Sequence, residues 1–212
     1  MEFRELIKKF LKFIKLYKPI HSYNRYSLAL SYYKPKLKMI LPWSIKNTED
    51  SNFYYDLESK NVLYLANFIS HITSTPVEQV KQYFDEVLDN PELRIHILNG
   101  FKNSSYEKSV EVKYGRRIGW YAIARIIKPK VIVETGVDHG VGACLLAHAL
   151  IQNELEGFSG RYFGTDINLD AGQLLSGEYS RVGKVLYGDS LKSLANFDEE
   201  IDLFINDSDH SC

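Results

Sequence analysis

Cysteine is scarce in this chain: two occur among 212 residues, Cys144 and Cys212. They lie far apart and neither shows the Cys-x-x-Cys spacing of a metal or redox pair, which argues for a reducing compartment. Also missing is any run near the ~18 consecutive apolar residues of a membrane span. The N-terminus lacks the uninterrupted apolar segment and small-residue cleavage site of a secretory signal, so a cytoplasmic protein is expected. No internal repeat or low-complexity tract is present. What remains is the composition of a soluble globular chain, with 45% apolar and 25% charged residues. Its 15 Tyr and 11 Phe read as core-packing residues.

Charge is present but unevenly placed. The net value is -1, yet residues 1–40 carry ten Lys/Arg against two acids, leaving 16 bases against 25 acids for the rest. Within the basic part, Phe3, Leu6, Phe10, Phe13 and Tyr17 recur at helical spacing with Lys8, Lys9, Lys12 and Lys15 among them. This predicts a basic amphipathic helix over 3–17. Its apolar stripe either packs on the protein or makes peripheral contact with an anionic membrane or polyanion. Pro19 to Asn52 shows no sustained period and reads as irregular, packed connections. Val62, Leu65, Ala66 and Ile69 then mark a helix, and Val77, Val80, Phe84, Val87 and Leu88 mark another. For the second, Thr75 is expected to cap the free amides, with Pro76 in the first turn and Glu78 closing a capping box.

After Lys102 to Ser105 the pattern changes. A helix through Trp120, Ile123 and Ile127 stops at Pro129. Short apolar runs follow at Val131 to Glu134, Tyr162 to Asp166, Lys184 to Tyr187 and Ile201 to Asn206, with a helix over Val141 to Leu155 between the first two. Strands alternating with helices predict an α/β fold: a Rossmann-like, doubly wound parallel sheet. The expected organisation is a helical N-terminal accessory region, 1–105, and a sheet domain, 106–212.

Ligands of such sheets bind beyond the carboxyl ends of the strands. Each run here ends in or near an acid: Glu134, Asp166, Asp189, then Asp207 and Asp209. Acids also commonly cap the helices that follow strands, so no single one is decisive. The turn ETGVDHGVG has Gly-x-x-x-Gly-x-Gly spacing, with Gly136, Gly140 and Gly142, rather than the Gly-x-Gly-x-x-Gly of dinucleotide sites. Its acids Glu134 and Asp138 would repel a pyrophosphate by ~1 kcal/mol per pair. Asp166 also falls 30 residues after Gly136, not about twenty. A nicotinamide-dependent oxidoreductase or sugar-nucleotide enzyme is therefore disfavoured. A cationic cofactor without phosphate, S-adenosylmethionine, suits the acids: Asp166 for the ribose hydroxyls, Asp189 for the adenine amino group, and Glu134 with Gly136 at the methionine end.

The stretches VIVETGVDHGVG, RYFGTDIN, VLYGDS and IDLFINDSDHS, in that order and spacing, resemble the successive motifs of class I S-adenosylmethionine-dependent methyltransferases. They are most similar to the branch acting on small molecules and sugar hydroxyls. The resemblance covers roughly 106–212 and implies cofactor contacts at Glu134, Gly136, Gly140, Asp166 and Asp189. YGRRIGWYAIAR, from Tyr114 to Arg125, resembles the helix preceding the sheet, where Arg116 or Arg117 would either pair with the methionine carboxylate or be solvated. His210 is the expected general base, oriented by Asp207 or Asp209. Metal-dependent members imply a magnesium ion on Asp207 and Asp209 instead. His139 and His148 read as structural. A small-molecule substrate, not nucleic acid, is implied, and self-association stays open.

The resembling class uses seven strands, whereas this sequence reaches its fourth. The fourth strand would then leave an unpaired edge bearing Ile201, Leu203 and Ile205, so the expectation is either a fragment or truncated frame, which would bind cofactor weakly or fail to turn over, or some other cover for that edge. A non-catalytic module gripping a membrane or polyanion is the reading from outside enzymology.

Overall fold

A computed structural model describes residues 17–46, 57–102 and 112–208. The chain divides into two compact units, Met1–Phe53 and Tyr54–Cys212. In the first, helix α1 runs over Tyr17–Lys46. This corrects the expectation of irregular connections over 19–52, as far as Lys46. A proline inside a helix removes one amide donor and crowds the carbonyl four residues back, so Pro35 and Pro42 read in the sequence as helix breakers. Apolar residues also lie on more than one side of α1, which blurs the single buried stripe that a periodicity search detects. The helix expected over 3–17 falls, except for Tyr17, outside the described residues, as do residues 47–52.

The second unit begins with helices α2 (Ser59–Thr73), α3 (Val77–Leu88), α4 (Pro91–Lys102) and α5 (Arg117–Ile127). Then come β1 (Val131–Thr135), α6 (Val141–Leu155), β2 (Arg161–Asp166), a 3-10 turn at Tyr179–Arg181, β3 (Gly183–Tyr187), α7 (Ser190–Ala195) and β4 (Leu203–Asn206). The cap expected at Thr75 is not formed. Pro76 occupies the N-cap of α3 without a side-chain bond, and the Thr75 hydroxyl instead donates to the Thr73 carbonyl at 3.5 Å. With Pro76 itself at the N-cap, Thr75 stands one position before the place from which a side chain caps the free amides. Lys128, in the left-handed region at φ 51°, closes α5 ahead of Pro129.

All strand pairings are parallel and the sheet order is β3-β2-β1-β4. The chain therefore steps outward from β1 through β2 to β3, then returns to the other flank of β1. That reversal between β1 and β4 is the switch point at which doubly wound sheets open a ligand crevice. Ile132 and Glu134 face α6, and Val131 and Val133 face a second apolar layer with Phe163, Leu186, Leu194 and Phe197. β3 and β4 are the edge strands of this sheet. Ile201, just before β4, is exposed and Leu203 is part-buried, but the rest of the expected edge differs. Ile205 is buried, whereas Phe204, level with Val133, is half exposed.

Helices α2 to α5 are continuous with the sheet layer in one core, in which Ala66, Ile69, Val80, Phe84 and Leu93 join Ile132, Leu145 and Tyr162. The buried Arg125 locks this stack. Its Nε donates to Glu86 at 3.0 Å, one Nη to Glu156 at 2.6 Å and the other to Asn153. Tyr121 also donates to Glu86, at 2.6 Å, so α3, α5 and α6 share one fully partnered polar node. His148 belongs to this layer: stacked on Tyr121 and 3.1 Å from Asn90, it is held below its ordinary pKa by burial.

Candidate functional site

Parallel pairing places Thr135, Thr165 and Asn206 level with one another, so the exits of β1, β2 and β4 form one rim. The loop leaving β1 turns sharply. Gly136, Asp138 and Gly140 all have positive φ, at 79°, 48° and 96°. Gly136 also lies against β4's exit, where a Cβ would come 2.5 Å from Ser208 Cα. Gly140 approaches the Gly172 backbone, at 3.2 Å from a Cβ, and forms the N-cap of α6. Here glycine is required by both conformation and close approach.

Asp166, at the end of β2, organises this loop. Its Oδ2 accepts from the amides of Val137 and Asp138, both at 3.0 Å, and its Oδ1 accepts from Asn168 at 2.8 Å. A carboxylate offers about four acceptor positions, so one, on Oδ1, is left for a hydroxyl. Asp189 caps α7, its Oδ1 accepting from Leu191 at 2.8 Å and Lys192 at 3.3 Å. Replacing Asp189 with alanine is expected to lower stability by ~1 kcal/mol through that cap. Equilibrium denaturation checks this, and an unchanged midpoint would mean the cap contributes nothing. Beside it Gly188 has φ 129° with nothing within 4 Å of a Cβ, so the rim is open there. Ile167 and Leu169, 80% and 75% exposed, add an apolar face next to Asp166.

Glu134 sits deeper than the other acids. It is 1% exposed, with the first turn of α6 over it: a Cβ on Gly142 would come 2.6 Å from Oε1. Tyr162 donates to Oε2 at 2.5 Å. Gly164 stands opposite Glu134 in register, and a Cβ there would lie 2.8 Å from the Tyr162 hydroxyl, so this glycine opens the route between the two side chains. Burial pushes the Glu134 carboxyl up to about 8, opposed by the Tyr162 hydrogen bond and by Arg117 and reinforced by Asp207 and Asp166. Tyr162 is itself raised well above the usual phenol value by burial and by Glu134. The alternation Tyr162-Gly164-Asp166 was a readable signal for one shared face; the Tyr162–Glu134 pairing had none.

At β4's exit both arginines of α5's start reach Asp207: Arg116 is hydrogen-bonded to Oδ1, and Arg117 lies 3.5 Å from Oδ2. Their guanidinium carbons stand 6.0 and 5.5 Å from the Trp120 ring centroid. Asn206 Oδ1 accepts from Thr135 at 2.7 Å and Ser208 at 2.8 Å, tying the two strand exits together. His139 packs near Phe101 and 3.2 Å from the Gln173 amide nitrogen. Asp209 and His210 lie outside the described residues. The donor set around Asp207 does not fit a magnesium ion, since two guanidiniums already neutralise the carboxylate and would repel a dication. Among the described residues no three ligating side chains gather.

Of the expected acids, the four within the described residues, Glu134, Asp166, Asp189 and Asp207, thus lie at one end of the sheet, although Asp166 and Asp189 are partly committed to backbone amides and Glu134 lies beneath the surface. No helix of the described residues is long and apolar enough to cross a membrane.

Residues 133–212 match a family model described as a methyltransferase domain. No curated protein matches the chain. Among solved structures, the chain is similar to the S-adenosylhomocysteine-bound methyltransferase of Podospora anserina, at 16% identity and TM-score 0.44, with 62% of this chain and 56% of that one covered. It is also similar to an O-methyltransferase of tomaymycin synthesis from Streptomyces achromogenes, solved with S-adenosylmethionine, at 16% identity and TM-score 0.36, with 72% and 63% covered. The chain thus spans less than two thirds of the length of either.

Proposed function

Taking residues 133–212 as a methyltransferase domain, we propose that the protein transfers a methyl group from S-adenosylmethionine to a hydroxyl of a small molecule, a sugar hydroxyl being the acceptor that the resemblance of its sequence motifs implies. The observation that carries this reading is the coincidence of the matched segment with the β1–β4 rim, where a glycine-bent loop is laced to Asp166. The residues fit the cofactor. Asp166 Oδ1 retains an acceptor for a ribose hydroxyl, Ile167 offers an apolar face for a purine, and Gly188 leaves open space beside Asp189. Gly136 and Gly140, where the loop bends at positive φ, would hold the methionine end through their backbone. Arg116, 68% exposed, is placed to exchange Asp207 for a ligand carboxylate.

When bound, the cofactor supplies a sulfonium-activated methyl group. The protein's part is to align the acceptor, exclude water and remove its proton. His210 is proposed for the last task, with Asp207 or Asp209 orienting it.

Ligand-induced stabilisation tests the assignment. S-adenosylhomocysteine at a hundred times its dissociation constant should add ~2.7 kcal/mol, whereas NAD should add nothing. Protection by NAD alone, or by neither compound, would remove the methyltransferase reading.

A further inference from the structure

Helix α1 carries a second pattern that methyl transfer does not use. Tyr23, Tyr26, Leu30, Tyr33, Leu37 and Ile40 recur at alternating steps of three and four, which puts them along one seam of Tyr17–Lys46. Over 17 residues that seam is about 26 Å long. Its members are 39–69% exposed. The same helix contains six Lys/Arg and no Asp or Glu. Lys18, Arg25 and Lys34 are exposed.

Three kinds of partner bury such a seam, and charge separates them. A second copy in a coiled coil would need opposite charges at the positions beside the seam. Lys34 occupies such a position, and α1 has no acid to meet it. A nucleic acid would neutralise the bases but would leave Leu30, Leu37 and Ile40 in water. An anionic bilayer surface satisfies both features, taking the aliphatic residues below the headgroups, the tyrosines at headgroup level and the bases against lipid phosphates and carboxylates.

We infer that α1 docks the protein on an anionic membrane surface, lying in the plane of the interface. The contact lies in 17–46, apart from the 3–17 segment singled out by sequence. It depends on α1 alone and stands whether or not the sheet domain transfers methyl groups.

Co-sedimentation of the full chain with vesicles of phosphatidylcholine and phosphatidylserine at 7:3, against phosphatidylcholine alone, tests it. Binding is expected to the mixed vesicles only, and to fall at least ~tenfold between 0.1 and 0.5 M NaCl. The combined Lys18→Gln, Arg25→Gln and Lys34→Gln variant should weaken it about a hundredfold. The Leu30→Ser, Leu37→Ser and Ile40→Ser variant should also lose it, with the chain's melting temperature unchanged in both. Equal affinity for both vesicle types, or none for either, would overturn the inference. So would retention of a polyuridylate probe without vesicle binding, or a dimer in sedimentation velocity that the serine variant abolishes.

Discussion

Gly136→Ala should destabilise the protein by about 2–5 kcal/mol and lower its melting temperature by roughly 10 °C. Two effects act at this one position. The residue has φ 79°, which an L side chain adopts only with strain, and the added methyl would meet Ser208 Cα at 2.5 Å and the Asp207 carbonyl oxygen at 2.6 Å. Those obstacles are backbone, held by Asp207's amide on the Thr135 carbonyl at 2.9 Å and by the Asn206 side chain on Thr135. They cannot swing aside as a side-chain end would. Either β4 separates from β1 at its exit, or the loop after β1 changes course and releases the Val137 and Asp138 amides from Asp166. Gly157→Ala separates the two effects: φ there is 91°, but nothing lies within 4 Å of a Cβ, so only the conformational cost of about 1 kcal/mol applies. Thermal or chemical unfolding of both variants checks this. Equal losses would show that the approach to Ser208 carries no energy.

The contrast between these two glycines marks where sequence reading stops. The turn after β1 was legible because a glycine-rich stretch following a run of β-branched residues has few other uses. α6 and the four strands were legible because a buried parallel sheet needs short, nearly continuous apolar runs. That Gly136 faces β4's exit was not legible, since the two segments are some seventy residues apart and meet only through sheet order. The same holds for Arg116 and Arg117, about ninety residues before the Asp207 they both reach. Asp166 ends β2 and Asp189 follows β3, as the sequence pattern placed them along the chain, yet their oxygens turn partly to nearby amides, because a free amide at a loop or helix start competes for any carboxylate within reach. α1 was missed for a different reason. Proline content and apolar residues on several sides conceal a helix whose ordered seam is exposed, and the usual search for a buried face has nothing to find.

Glu134→Gln should flatten the dependence of stability on pH between about 4.5 and 8. The Glu134 carboxyl is buried and pushed up to about 8, while in the unfolded chain it returns to 4.5. In that window the folded protein keeps a proton that the unfolded chain has released. Stability of the native sequence is therefore complete at the acid end and falls as pH rises, levelling off above 8, with at most about 5 kcal/mol lost across the interval. Glutamine is neutral in both states and still presents a carbonyl oxygen to the Tyr162 hydroxyl. The variant should match the native protein near pH 5 and exceed it near pH 8.5, as read from denaturation midpoints. Parallel profiles over the whole range would mean that the carboxyl is already ionised in the fold, compensated by Arg117 and Tyr162. The same proton bears on ligand binding. A cationic donor at the rim favours ionised Glu134, so its affinity should rise with pH for the native protein and stay level for the glutamine variant, which titration calorimetry in buffers of different ionisation enthalpy detects as proton release.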